Sequence, residues 1–163
     1  VKIRFDENMS PRIVAALRAY LSSRGGFELS HVREFSPPAT GDPTWLKQFS
    51  DDDGHAIISG DSRILQNWPD LIAYAESGLV SYWPPKKSGG WNGYSKAALW
   101  IQWWPVIYEH MKDAPRGSMW RLPNSFVPNR DALTPLKDPR LDTDQKKDGL
   151  GITTQPKLHE FKR

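Results

Sequence analysis

Four short apolar runs, at residues 2–5, 27–32, 55–59 and 79–83, are separated by stretches whose apolar residues recur at helical spacing. That alternation constrains the fold most, because strands joined through helices pair in parallel and need helices on both faces of the sheet. The expected class is therefore α/β with a mainly parallel central sheet. Ser10 at the N-cap and Pro11 at the first helical position open a helix whose apolar stripe is Ile13, Val14, Ala16, Leu17 and Leu21. Gly25-Gly26 stops it. Asp42-Pro43 repeats the cap-plus-proline start, for a short helix over 44–49. After Asp61 a helix is expected to about Glu76, divided by Pro69 near Trp68. A long aromatic helix over Asn92 to Met111 is expected to be interrupted at Pro105, and Ser118 to Leu122 reads as a last, edge strand.

From Pro123 the character changes. Prolines at 123, 128, 135, 139 and 156 prevent a long regular helix, and most residues are polar. The expected division is a domain over 1–122 and an irregular tail over 123–163 that wraps the domain, is disordered, or orders on a partner. With no cysteine, a disulfide scaffold and a thiolate zinc site are both excluded. No run approaches the apolar length of a membrane span and no charged-then-apolar leader opens the chain, so a cytoplasmic protein without membrane partners is expected. Charge is unevenly placed: residues 1–80 carry a net −3 and residues 81–163 a net +6. A carboxylate-bearing half beside a basic half suits a metal-dependent enzyme acting on a polyanion. A basic tail explains the same numbers.

The acids sit where chemistry is expected. Asp6 follows the first apolar run and Asp61 the third, and open α/β sheets place ligands at the carboxyl ends of their strands. Asp42 lies between them. Hard divalent cations such as Mg2+ take carboxylate and water oxygens, so two or three converging aspartates suit one. Such a cation could activate water and stabilise the charge that builds on a phosphodiester. Each acid also has a plain structural role. Asp42 reads first as the N-cap before Pro43, and Asp61 serves equally as a cap or a ligand. Asp6 is the least explained by capping, since Ser10 caps the next helix. Glu7 and Glu34 read as solvated or paired with Arg33, Arg12 or Arg63, with an outer role at a metal as the alternative. Asn8 reads as a turn former.

The segments Phe5-Asp6-Glu7-Asn8-Met9-Ser10-Pro11-Arg12, His31-Val32-Arg33-Glu34, Gly41-Asp42 and Ile57-Ile58-Ser59-Gly60-Asp61 make residues 1–83 resemble the PIN-like domains, which include VapC-type toxin ribonucleases. The continuation Gly90-Trp91-Asn92 with Trp103-Trp104-Pro105 is similar to a branch with an aromatic C-terminal helix. The resemblance implies a three-layer α/β/α fold, Mg2+- or Mn2+-dependent endoribonuclease activity, and a cognate antitoxin as partner. It also implies Asp6, Asp42 and Asp61 as the catalytic and metal-binding carboxylates, with Glu7 and Glu34 as further metal candidates. Two departures stand out. Many small relatives carry a second aspartate soon after the strand-end one, where this chain reads Ser62-Arg63-Ile64-Leu65. Full toxin enzymes tend to present four acids, and three place here.

Trp100, Trp103, Trp104, Ile107, Tyr108 and Met111 recur at three- and four-residue steps, the pattern of a helix packed against the sheet or a twin subunit, so a homodimer is one expectation. Stacking on unpaired bases is the rival use of such rings. Arg12, Arg63, Lys86 and Lys87 are the candidate RNA-binding residues, the two arginines because each lies near a proposed catalytic acid. The sequence thus predicts a toxin-type endoribonuclease in which Asp6→Asn abolishes cleavage and spares the fold. The rival is a catalytically degenerate PIN-like module that binds RNA or a protein partner without cutting. A receiver-like signalling domain is the third option, unsupported by any well-placed lysine.

Overall fold

The first strand, β1 (Lys2–Phe5), lies between β2 (Glu28–His31) and β3 (Ala56–Ile58), parallel to both. The computed structural model describes residues 1–21, 23, 25–38, 40–66, 68–87 and 90–141. β4 (Val80–Trp83) and β5 (Met119–Arg121) extend the parallel sheet beyond β3, and β6 (Thr134–Pro135) closes it antiparallel to β5. The strand order is β2-β1-β3-β4-β5-β6. The chain leaves β1 in one direction to make β2 and returns on the other side to make β3. Their carboxyl ends therefore frame the switch point at which such sheets open a ligand crevice.

The period of two along the strands divides the core in two. Ile3, Phe5, Ala56, Ile58, Val80 and Tyr82 face one side, where α1 (Pro11–Leu21) and α4 (Gly93–Asp113) cover them. Ile57 and Trp83 face the other, with Trp45, Leu46 and Phe49 of α2 (Asp42–Asp51) and Tyr74 and Ala75 of α3 (Trp68–Glu76). This is the expected three-layer α/β/α arrangement. Trp100, Trp103 and Trp104 are buried, as are Ile107 and Met111. Their recurrence is core spacing, and each indole removes roughly 200 Å² from water, at most about 5 kcal/mol in area terms.

Several expectations meet a physical detail. Ser10 does cap α1, its Oγ accepting the Arg12 N–H at 3.3 Å. Asn92 caps α4 through the Ser95 N–H at 2.8 Å. The stretch after Asp61 is divided as expected, into a 3-10 turn (Arg63–Gln66) and α3, with Pro69 in the first turn of α3, where its missing N–H costs no bond. The interruption expected at Pro105 does not occur: α4 is one helix of 21 residues. Pro105 sits on its exposed side, where water can satisfy the carbonyl of Ile101.

Nor is β5 the edge. β6 lies outside it, with Pro135 on the outermost strand, which tolerates a residue without an N–H. Leu133 is buried, so the sheet and its core continue across residue 122. The rest of the expected tail, 142–163, lies outside the described residues. Among the described residues no helix is long and apolar enough to cross a membrane.

Gly60 marks how closely the ends of β1 and β3 approach. A Cβ built there would lie 2.2 Å from the carbonyl oxygen of Asn8 and 2.7 Å from the nitrogen of Met9. Both are backbone atoms and cannot swing aside. Gly60→Ala should lower stability by about 2 kcal/mol or more, read as the midpoint of urea unfolding. An unchanged midpoint would mean that the two strand ends part freely.

Candidate functional site

Asp6 is the first residue past β1, and the Asp6 N–H continues the ladder by donating to the carbonyl of Ile58 at 3.1 Å. Its carboxylate is buried and accepts from four donors. Oδ1 takes the N–H groups of Asn8 and Gly60, each at 3.0 Å. Oδ2 takes the Asn8 amide at 3.3 Å and the Ser59 hydroxyl at 2.5 Å. Burial pushes the Asp6 carboxyl up, and these four hydrogen bonds pull it back toward the charged form. The loop after it is held from two further sides. His31 Nδ1 accepts the Arg33 N–H at 3.1 Å, which leaves Nε2 to donate to the carbonyl of Met9 at 2.8 Å. Lys96 reaches across from α4 to the carbonyl of Asn8 at 2.8 Å.

Asp42 stands at the first position of α2, not at its N-cap. Gly41 occupies the cap without a side-chain bond, so the capping role expected of Asp42 falls away. Its Oδ1 instead accepts the indole N–H of Trp45 at 2.8 Å, one turn along. Burial pushes the Asp42 carboxyl up to about 6, and the charges of Asp70, Asp6 and Glu7 push the same way. Asp70 lies outside the set of acids expected from the sequence. It lies in the first turn of α3, packed beside α2, and supplies a fourth acid from another element than the Ser62–Leu65 stretch where one was sought. Its only sequence signal is position: it precedes Tyr74 by four residues, so the two share a helix face.

Asp61 follows β3 as expected, and β3 is indeed the neighbour of β1. Its carboxylate, however, is taken up by Arg63. Oδ1 accepts the Arg63 N–H at 2.9 Å and Oδ2 pairs with the Arg63 guanidinium at 2.5 Å. The link to Asp6 runs through Ser59, whose Oγ also lies 2.9 Å from the Asp61 carbonyl. Asp61 lines a cleft of about 550 Å³ with Arg63, Lys87, Trp91 and Lys96. Two expected basic residues, Arg63 and Lys87, thus meet beside an expected acid, joined by Lys96, which went unnoticed. Trp91 donates its indole N–H to the carbonyl of Pro85 at 2.9 Å, and Lys87 Nζ sits 4.6 Å from its ring centre.

A family model described as "PIN like domain" matches residues 1–86. The chain belongs to the PIN-like domain family. No curated protein and no solved structure gives a significant match. PIN-like domains are commonly nucleases, and the acids described above lie at the sheet edge of this nuclease fold.

The remaining candidates of this PIN-like domain lie elsewhere. Glu34 accepts the His31 N–H at 2.9 Å in a capping box and pairs with Arg18 at 2.7 Å, so it pairs with none of the three arginines expected of it. Arg12 lines an apolar groove with Ile13, Ala16 and Tyr94. Lys86 is exposed and stands outside the lining of the basic cleft. His31 and His55 hydrogen-bond the carbonyls of Met9 and Met111, and His110 the hydroxyl of Tyr82.

Among the described residues no three histidine or carboxylate groups converge closely enough to hold a metal ion as they stand. The donor chemistry nonetheless fits a hard divalent cation. The acids offer oxygen only, and Glu7, Asp42 and Asp70 are half-buried side chains at the surface of the site. Their mutual repulsion is what a cation would relieve. One buried polar atom also waits without a partner below them, the hydroxyl of Tyr74.

The raised Asp42 carboxyl has a consequence for stability. A carboxyl whose folded pKa rises from 3.8 to about 6 favours the fold fully below its unfolded value, and that contribution is lost as pH climbs through about 6. Asn at this position keeps an oxygen for Trp45 and carries no charge. Asp42→Asn should therefore stabilise the protein above about pH 7, by about 1 kcal/mol once solvent screening of a half-exposed group is allowed for, and not near pH 4. Thermal unfolding at the two pH values checks this.

Proposed function

We propose that this PIN-like domain is a metal-dependent endoribonuclease and acts as the toxin of a type II toxin–antitoxin pair. The observation that carries the reading is an acidic group, Asp6, Glu7, Asp42 and Asp70, whose charges bear on one another, with the basic cleft of Arg63, Lys87 and Lys96 opening at Asp61. Acids of this kind neutralise a cation, and a basic cleft holds a phosphodiester backbone. Asp42, Asp70 and Glu7 would hold the Mg2+ or Mn2+ ion with Asp6 behind them, and Asp61 would join on release from Arg63. The ion supplies Lewis-acid stabilisation and water activation. The chain's own residues do the rest: Lys87, Lys96 and Arg63 neutralise phosphate, and Asp6 keeps the two strand ends at fixed separation. A cognate antitoxin would cover this edge, and a homodimer is compatible with the reading.

A second reading is favoured by a specific observation. Asp6 already accepts four hydrogen bonds and Asp61 is paired with Arg63, so neither is an open ligand. A domain in this state would bind RNA, or a protein partner, without cutting it. One experiment separates the two. Protein freed of any partner is incubated with a mixed RNA pool in Mg2+, Mn2+ or EDTA, beside Asp42→Asn. Cleavage that needs both the metal and Asp42 supports the nuclease, and normal turnover by Asp42→Asn would sink the site. Intact RNA in every lane, with RNA still bound, supports the binding module. Asp42 is a better probe than Asp6, because an Asn at position 6 would set an amide against the donors that hold the loop, and loss of fold would be confused with loss of activity.

Binding itself has a signature in either case. Lys87→Ala should weaken RNA binding across sequences and reduce the slope of log K against log salt by about 0.7, the share of one single-strand phosphate contact. An unchanged slope would remove Lys87 from the interface.

A further inference from the structure

We infer that the Tyr74 hydroxyl is a positioning group of the acidic site, kept without a partner in the fold so that it can donate to a carboxylate of Asp42 or Asp70 when a divalent cation draws those side chains together. This rests on the metal-dependent reading above. Tyr74 is 1% exposed, and its hydroxyl oxygen has no hydrogen-bond partner among the described residues. Buried hydroxyls are almost always paired, because an unpaired one forfeits its bond to water and gains nothing. The protein retains this one at a particular place. Asp70 and Tyr74 are four residues apart on α3, and helical side chains lean toward the helix N-terminus. The phenol therefore leans back toward the turn that carries Asp70.

Its ring is trapped from both sides. It meets Trp45 edge-on, with centroids 6.2 Å apart, and Trp83 edge-on at 4.9 Å. Trp45 is the same indole that donates to Asp42. The phenol is thus fixed against one residue that holds Asp42 and stands one turn from Asp70. Burial, and then the charges of Asp6, Asp42, Asp70 and Glu7, keep the phenol protonated well above its ordinary range, so it is a donor at any working pH. The other unpaired buried atoms among the described residues are all nitrogens, one of them Arg121 Nε on β5. Trp100 and Trp104 belong to the core on the opposite face of the sheet. The Arg4 guanidinium lies between the faces of Phe35 and Phe49, each 4.1 Å from it. Among these groups Tyr74 is the one on which the charges of Asp6, Asp42, Asp70 and Glu7 act together.

The test compares the full chain with Tyr74→Phe and Asp42→Asn in two measurements. The first is the melting temperature in EDTA. The second is Mn2+ affinity, by calorimetry or by the paramagnetic signal of free Mn2+. Tyr74→Phe should melt in EDTA at the wild-type temperature or above it, because the hydroxyl it loses bonds to nothing. Its Mn2+ affinity should fall about fivefold, the worth of one hydrogen bond. Equal Mn2+ affinity in Tyr74→Phe and wild type, with Asp42→Asn weakened, would overturn this inference and leave the metal reading standing. A lower melting temperature in EDTA would overturn it too, since the hydroxyl would then serve the fold. Wild-type protein that binds no Mn2+ would overturn the metal reading, and the inference with it.

Discussion

The carboxylate of Asp6 is the tie on which the rest of the site depends. It collects two backbone N–H groups and two side-chain donors from the ends of β1 and β3, and so closes the switch point of the sheet. Without a side chain at Gly60 the two strand ends come close enough for this. A buried carboxylate is costly unless it is bonded on every side, and here it is. The same bonds that let the fold tolerate the charge also occupy the oxygens a cation would use. The structural role of Asp6 therefore competes with the role proposed for it.

Two further acids act on the same site through their charge. Asp42 and Asp70 come from α2 and α3, two helices packed together on one face of the sheet. Their indole and phenol neighbours, Trp45 and Tyr74, belong to the core beneath. The electrostatic strain is localised there, in the raised carboxyl of Asp42. The basic cleft of Arg63, Lys87 and Lys96 opens at Asp61, just past the end of β3. On the proposed reading the acids would hold a cation and the basic cleft a polyanion, at the carboxyl ends of β1 and β3.

The helices on the other face do different work. α1 and α4 bury a layer of indoles and aliphatic side chains against β1, β3 and β4, and from this layer Lys96 projects to clamp the Asn8 carbonyl. The aromatic helix contributes to the site through one lysine at its exposed end, while its tryptophans serve packing.

The layers and the strand ends are legible in local pattern alone. Apolar runs of period two between helical stretches leave few ways to bury their faces, and Ser10, Asn92 and Pro69 act over one turn, so their effects are local and legible. Asp6 and Asp61 were legible for the same reason, since a residue directly after a strand lies at the sheet's carboxyl edge whatever the topology. Tertiary structure decided where each carboxylate turned. Gly41 rather than Asp42 took the cap, Arg63 drew Asp61 aside, and Arg18 with the His31 N–H absorbed Glu34. Asp70 and Lys96 joined the site from helices distant in sequence. Each of these outcomes turns on a contact of a few ångströms between elements, and hydrogen-bond and charge energies at that range depend on packing that no local pattern encodes.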